Sequence, residues 1–208
     1  MDSLSPLPPA FYGRPAEAVA RDLLGRYLVR RTAEGERLVL RLVETEAYRG
    51  EGDRASHAHA GPVTARSRKL YRGGGHAYVY LIYGMHWCLN TVCGTQDDGH
   101  AVLLRAAEAV EGGEAMRAAR GFSPDRKLRP GDLAGGPGKL CRALGVDRGF
   151  DGARLWEGEL VLARGVPVGD GEVVRGARVG VGYAGEAAEW PLRFAIRGNR
   201  EVSRPRVG

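Results

Sequence analysis

Acidic residues are missing from one long stretch of this 208-residue chain, for no Asp or Glu occurs between Arg54 and Gln96. Lysine is scarce too: only Lys69, Lys127 and Lys139 occur among 31 basic residues, which leaves little for chemistry that needs an amine nucleophile. The three cysteines (Cys88, Cys93, Cys141) are odd in number and lack metal-type spacing. They fit neither a disulfide framework nor a zinc site and read as reduced, buried thiols. No run of about 18 apolar residues is present, and Met1 to Pro9 is polar and Pro-rich with no basic segment leading into an apolar one. A soluble, cytoplasmic protein with no membrane contact is therefore expected.

What is present is a globular composition, 43% hydrophobic and 27% charged, with 32 glycines that imply many tight turns. The net charge of +6 is concentrated. The acid-free stretch carries Arg54, Arg66, Arg68, Lys69 and Arg72, four of the five histidines, and Tyr71, Tyr78, Tyr80, Tyr83 and Trp87. Two readings fit this mixture. Cations that neutralise phosphates beside rings that stack on bases make a nucleic-acid surface; equally, aromatics form a core and arginines its solvated rim. A second basic cluster, Arg193, Arg197, Arg200, Arg204 and Arg206 against Glu201, closes the chain.

Pattern and punctuation predict a helix over 16–24, entered at Pro15 and stopped by Gly25, then strands over 27–31 and 38–48 joined by a turn at Glu34-Gly35. Residues 50–61 read as a loop. Strands are expected over 78–83 and 87–93, a short strand over 102–105, a helix over 106–120 and a second helix from Pro137 to Leu144. Further short strands are expected over 160–163, 177–182 and 192–196. No repeat or linker divides the chain. The fold class is α+β (mixed α/β): one domain over 1–208 with a curved, mainly antiparallel sheet and surrounding helices, and with flexible ends at 1–10 and 203–208.

On a strand, residues two apart share a face, so Glu44, Glu46 and Tyr48 are expected to continue the face of Leu38, Leu40 and Leu42. Two carboxylates so placed serve either as a base beside a paired partner or as two salt bridges at a strand end. His57-x-His59 has no third ligand at a diagnostic spacing, so no metal or other cofactor is expected. Gly73-Gly74-Gly75 lacks the continuation of a phosphate loop, and Gly180-x-Gly182-x-x-Gly185 lacks the helix and acidic partner of a dinucleotide site. In the run Tyr78-Val79-Tyr80-Leu81-Ile82-Tyr83-Gly84, a turn at Gly84 pushes the Tyr83 ring outwards on a protruding hairpin, as a wedge between base pairs. Tyr80 and Tyr48 are placed to sandwich an extruded base.

These residues carry a resemblance. Arg41-Leu42-Val43-Glu44-Thr45-Glu46-Ala47-Tyr48, Asp53-Arg54-Ala55-Ser56-His57 and Tyr78 to His86 are similar to segments of the alkyladenine (3-methyladenine) DNA glycosylase family, in its bacterial form. The match continues through Leu103-Leu104-Arg105-Ala106, Gly136 to Cys141 and Ala177 to Gly182, in order along nearly the whole chain. The resemblance implies a monofunctional enzyme that flips alkylated or deaminated purines out of double-stranded DNA and hydrolyses the N-glycosidic bond, acting as a monomer. It implies that Glu46 is the catalytic carboxylate, with Arg105 near the attacking water and the DNA backbone. Tyr48, His57, Tyr80 and Asn90 would form the base pocket, and Tyr83 would be the intercalating side chain. Arg66, Arg68, Lys69, Arg72 and Lys139 are the expected backbone contacts. Pro62-Val63 and Leu70-Tyr71 depart from the family pattern. A lyase, a non-catalytic architectural protein and an RNA-binding module are the competing readings.

Overall fold

The computed structural model describes residues 4–60, 64 and 67–207. Arg66 and the Pro62-Val63 departure lie outside them. The chain runs through α1 (Ala16–Leu23), β1 (Tyr27–Arg31), β2 (Arg37–Tyr48), β3 (Ala77–Ile82), β4 (His86–Cys93), β5 (His100–Glu111), α2 (Gly113–Ala119), α3 (Pro137–Leu144), β6 (Leu160–Ala163), β7 (Val173–Gly176) and β8 (Arg193–Ile196). The strands form one antiparallel sheet in the order β3-β4-β5-β2-β1-β6, with β8 joined to β2 and β7 to β8. Strand β2 is its spine, flanked by β5 on one side and by β1 and then β8 on the other.

The main core lies under α1 and α3. Val19, Ala20 and Leu23 of α1 meet Leu40 and Leu42 of β2 and Leu104 of β5, while Leu140 and Leu144 of α3 close the other end. Pro137 opens α3 and Gly145, at φ 63, ends it, as the sequence signals predicted.

Four expectations need correction. The alanine-rich segment 106–111, predicted helical, is the second half of β5. Pairing along β2 satisfies its backbone, Arg41–Glu108 and Arg37–Glu111 ion pairs at 2.7 and 2.6 Å tie the two strands, and this tertiary demand overrides local propensity. Residues 177–182 are loop rather than strand, leading into a 3-10 turn over Gly182–Ala188, and the pairing with β8 is made instead by β7. The ends are tied down over their described residues: the Leu7 amide donates to the Leu162 carbonyl, and Ser203 is buried with its amide donating to Glu44.

The fourth correction concerns β2 itself. Leu42 pairs with Ala107 and Glu44 with Ala106, leaving Val43 as an extra residue; Glu44 to Thr45 then spans Ala106 to Leu104, leaving Arg105 extra on β5. These irregularities break the simple alternation. Leu38, Leu40 and Leu42 face the main core, but beyond the bulge it is Ala47 that joins that core, and Thr45 donates its hydroxyl to the Ala20 carbonyl of α1. Glu44, Glu46 and Tyr48 are thereby turned to the opposite side.

Candidate active site

That opposite side forms the floor of a cleft of about 1140 Å³ whose walls include Tyr48, His57, Tyr80, Tyr83, Arg105 and Lys139. Glu46 is fully buried behind three of the cleft's lining residues. The Tyr48 hydroxyl donates to Oε2 at 2.8 Å, the Val179 amide donates to Oε1 at 2.8 Å, and Arg105 Nη1 stands 3.4 Å from Oε1. Tyr48 and Val179 donate to the carboxylate, and the Arg105 cation stands beside it.

Burial, followed by the neighbouring Glu46 charge, holds the Tyr48 hydroxyl well above the usual phenol range, so it stays a neutral donor. Burial works against the Arg105 charge, but Glu46 and Glu44 outweigh it and raise its pKa further. The two acids therefore divide the roles that β2 offers. Glu46 faces the cleft-lining groups, whereas Glu44 is enclosed by Arg105 Nε at 3.1 Å, Arg193 Nε at 2.6 Å, and the Ser203 hydroxyl and amide at 2.9 and 2.7 Å.

The aromatic wall is built on β3. Tyr78 and Tyr80 lie on one face with ring centroids 5.4 Å apart, and the His57 ring stands edge-on to Tyr80 at 4.7 Å. The Tyr78 hydroxyl and His57 Nδ1 are 2.9 Å apart, which fixes the imidazole against the wall. Asn90 sits behind this wall in a narrow space shared with Tyr78 and Tyr80, its amide donating to the Tyr78 carbonyl at 3.0 Å. Leu70 and Tyr71 pack below it against Ala58 and Val92, so that departure from the family pattern falls on packing beneath the pocket. Cys88 lines the cleft with its thiol pushed up to about 11 by burial, against the pull of the Tyr80 hydrogen bond; all three cysteines are free and buried.

The β3–β4 hairpin carries Tyr83 at its tip. Ile82 pairs with His86, and the three residues between make the turn with Tyr83 at φ 53 and Gly84 at φ 68. Positive φ is uncommon for an aromatic residue and costs roughly 1–3 kcal/mol. Here it leaves Tyr83 81% exposed beside Met85 at 69%, two large apolar side chains held out in water.

The expected backbone contacts separate. Lys139 lines the cleft, its ammonium donating to the Gly131 carbonyl. Arg68 and Arg72 are exposed on and beside the short turn Arg68–Tyr71, and Lys69 of that turn is tied to Asp151 at 2.6 Å. Arg120 and Arg142, which sequence reasoning did not single out, also line the cleft.

A buried clasp was missed as well. Arg178 holds Asp53 through two hydrogen bonds of 2.6 and 2.8 Å, donates to the Ala47 and Ala187 carbonyls, and lies 4.7 Å over the Tyr48 ring. Both residues fall in motifs already noted, but nothing in their separation of 125 positions announces the pairing.

The chain is similar to known proteins along most of its length. The family described as methylpurine-DNA glycosylase matches residues 10–200. The human DNA-3-methyladenine glycosylase is 45% identical over 199 residues, covering 93% of this chain and 66% of the human one. The mouse protein of the same name is 44% identical over 204 residues, 95% of this chain and 61% of its own. A provisionally named 3-methyladenine DNA glycosylase of Methanocella arvoryzae is 47% identical over 205 residues, 97% of this chain and 98% of its own. The chain thus spans under two thirds of the mammalian relatives and nearly all of the archaeal one.

Proposed function

This chain belongs to the methylpurine-DNA glycosylase family, and on that premise we propose that it removes alkylated or deaminated purines from double-stranded DNA by hydrolysing the N-glycosidic bond. The observation that carries the reading is the Glu46 carboxylate, wholly buried yet held by three groups that line an aromatic-walled cleft. A structural ion pair does not need its partners at a cleft floor.

In this reading the duplex lies across the cleft, and Tyr83 enters the base stack in place of the nucleotide that is turned out. The extruded purine lies against Tyr80 and His57 on one side and Tyr48 on the other. A cationic alkylated purine gains most from such electron-rich faces. Bond breaking at C1′ sends the glycosidic electron pair to the purine and leaves positive charge on the sugar, which the nearby carboxylate stabilises. Water adds its oxygen to C1′ and gives its proton to Glu46, the carboxylate held by Tyr48, Arg105 and Val179. A purine already carrying positive charge leaves as a neutral molecule without a further proton.

The test is single-turnover base release from duplexes bearing one 7-methylguanine, hypoxanthine or etheno-adenine. Free base and an unbroken abasic strand are expected; tight binding with no release overturns the proposal in favour of an architectural role. Tyr83→Ala is expected to weaken lesion-duplex binding about ten- to a hundredfold, the scale of one lost base–aromatic stack. Its exposure predicts no loss of thermal stability, so a melting curve beside a binding titration checks both halves.

A further inference from the structure

Arg105 reaches toward Glu46 from a strand bulge, where backbone pairing alone does not fix a side chain. Two contacts outside the cleft hold it, and a third joins their acceptors. Its Nε donates to Glu44 Oε1 at 3.1 Å and its Nη2 to the Ser203 hydroxyl at 3.0 Å, while the same hydroxyl donates onward to Glu44 Oε1 at 2.9 Å. Ser203 is itself clamped, its amide on Glu44 Oε2 and its carbonyl accepting from Arg193 Nη2 at 3.1 Å. Arg193 also donates to the Pro205 carbonyl at 2.7 Å. Glu44, Arg193 and Ser203 are all buried, and in the site described above none of them lines the cleft.

Two anions and two cations close this network, so charge balance alone is complete without Ser203. What the serine adds is direction. A guanidinium is a planar fork, and fixing the Nε edge and one terminal nitrogen fixes where the other nitrogen points. With Nε on Glu44 and Nη2 on Ser203, Nη1 is left aimed at Glu46 Oε1.

We propose that the Ser203 hydroxyl, carried on the C-terminal segment, is a latch that positions Arg105 against Glu46, making Ser203 a positioning residue for the glycosylase reaction. The proposal rests on the function proposed above, and its test separates the two. Full-length Ser203→Ala, Ser203→Thr and Val202→Ala are compared with wild type. Val202 packs the same segment against Val43 and Ala195 through apolar contacts alone, so its variant loosens the tail without removing a donor.

Ser203→Ala is expected to slow single-turnover release about tenfold or more, as befits a hydrogen bond to a charged group, with lesion-duplex affinity within twofold of wild type. Ser203→Thr restores most of the rate, and Val202→Ala lowers the melting temperature while keeping it. Arginine-labelled NMR supplies a readout that does not depend on turnover. Rotation about the Arg105 Cζ–Nη bonds is expected to be slow in wild type and faster in Ser203→Ala. Equal slowing by Ser203→Ala and Val202→Ala, or unchanged Arg105 rotation in Ser203→Ala, overturns the latch. Absence of base release from wild type instead overturns the glycosylase reading, and the NMR comparison still decides the latch.

Discussion

Replacing Glu46 by Gln is expected to lower single-turnover base release about a thousandfold, within the span typical of a lost general base, while lesion-duplex affinity stays within a fewfold of wild type. The site makes this substitution unusually clean. The amide oxygen of glutamine accepts from the Val179 amide and faces Arg105, as Oε1 does now, and its NH2 donates to the Tyr48 hydroxyl, which has lone pairs to receive it. The Val179 bond is kept and the Tyr48 bond reverses direction, so the fold is preserved. What is lost, on the mechanism proposed above, is the negative charge beside C1′ and the capacity to take a proton from water. A variant that still releases base at the wild-type rate removes Glu46 from the chemistry. One that loses rate and binding together points instead to a rearranged pocket.

Arg178→Met is expected to produce the largest loss of stability, about 3–5 kcal/mol, because the guanidinium and the Asp53 carboxylate are both completely buried and removing one strands the charge of the other. The loss also unties the loop that presents Val179 to Glu46, so activity falls with stability. The double replacement Asp53→Leu with Arg178→Met is expected to recover part of the loss, since neither charge then remains unpaired. Burial alone would push the Asp53 carboxyl up, but the Arg178 hydrogen bonds and charge, with the Arg49 and Ala55 amides, outweigh it and hold it below the usual carboxylate range. The sign of the pH effect follows. Asp53 contributes fully above its unfolded-state pKa of about 3.9, and that contribution drains away as the pH falls through the lower folded value. Urea melts between pH 3 and 6 check this: the wild type should lose stability toward the acid end, and the double variant should lose less.

Much of the frame was legible in the chain. The helix from Pro15 to Gly25, the hairpin of β1 and β2, and the helix opened by Pro137 all carry local punctuation, and local punctuation is what a sequence exposes directly. Tyr83 was legible as a protruding ring for the same reason, since Gly84 beside it marks the turn. The segment 106–111 was not, because its three alanines and two glutamates favour a helix and only its pairing along β2 makes it a strand. The clasp of Arg178 on Asp53 and the latch of Ser203 on Glu44 were invisible on similar grounds. They join positions more than a hundred residues apart, and a buried pair has no periodicity by which to be found. Which of Glu44 and Glu46 the tail residues enclose was likewise open in the sequence, and it is Glu44.

The extra residue Val43 has a consequence for how this chain tolerates change. Ahead of it, even-numbered positions of β2 belong to the leucine core; beyond it, odd-numbered ones do. Deleting Val43 would leave Leu42, Glu44, Thr45, Glu46 and Ala47 in strict alternation with both glutamates still opposite the leucine core, so the extra residue is what lets even-numbered leucines and even-numbered glutamates take opposite faces of one strand. Conversely, the phase change insulates the two halves from each other. Volume-conserving exchanges at Leu38, Leu40 or Leu42 can retune stability while the carboxylates stay where they are, and the half that anchors the core and the half that bears the two buried glutamates can drift independently although they are one strand.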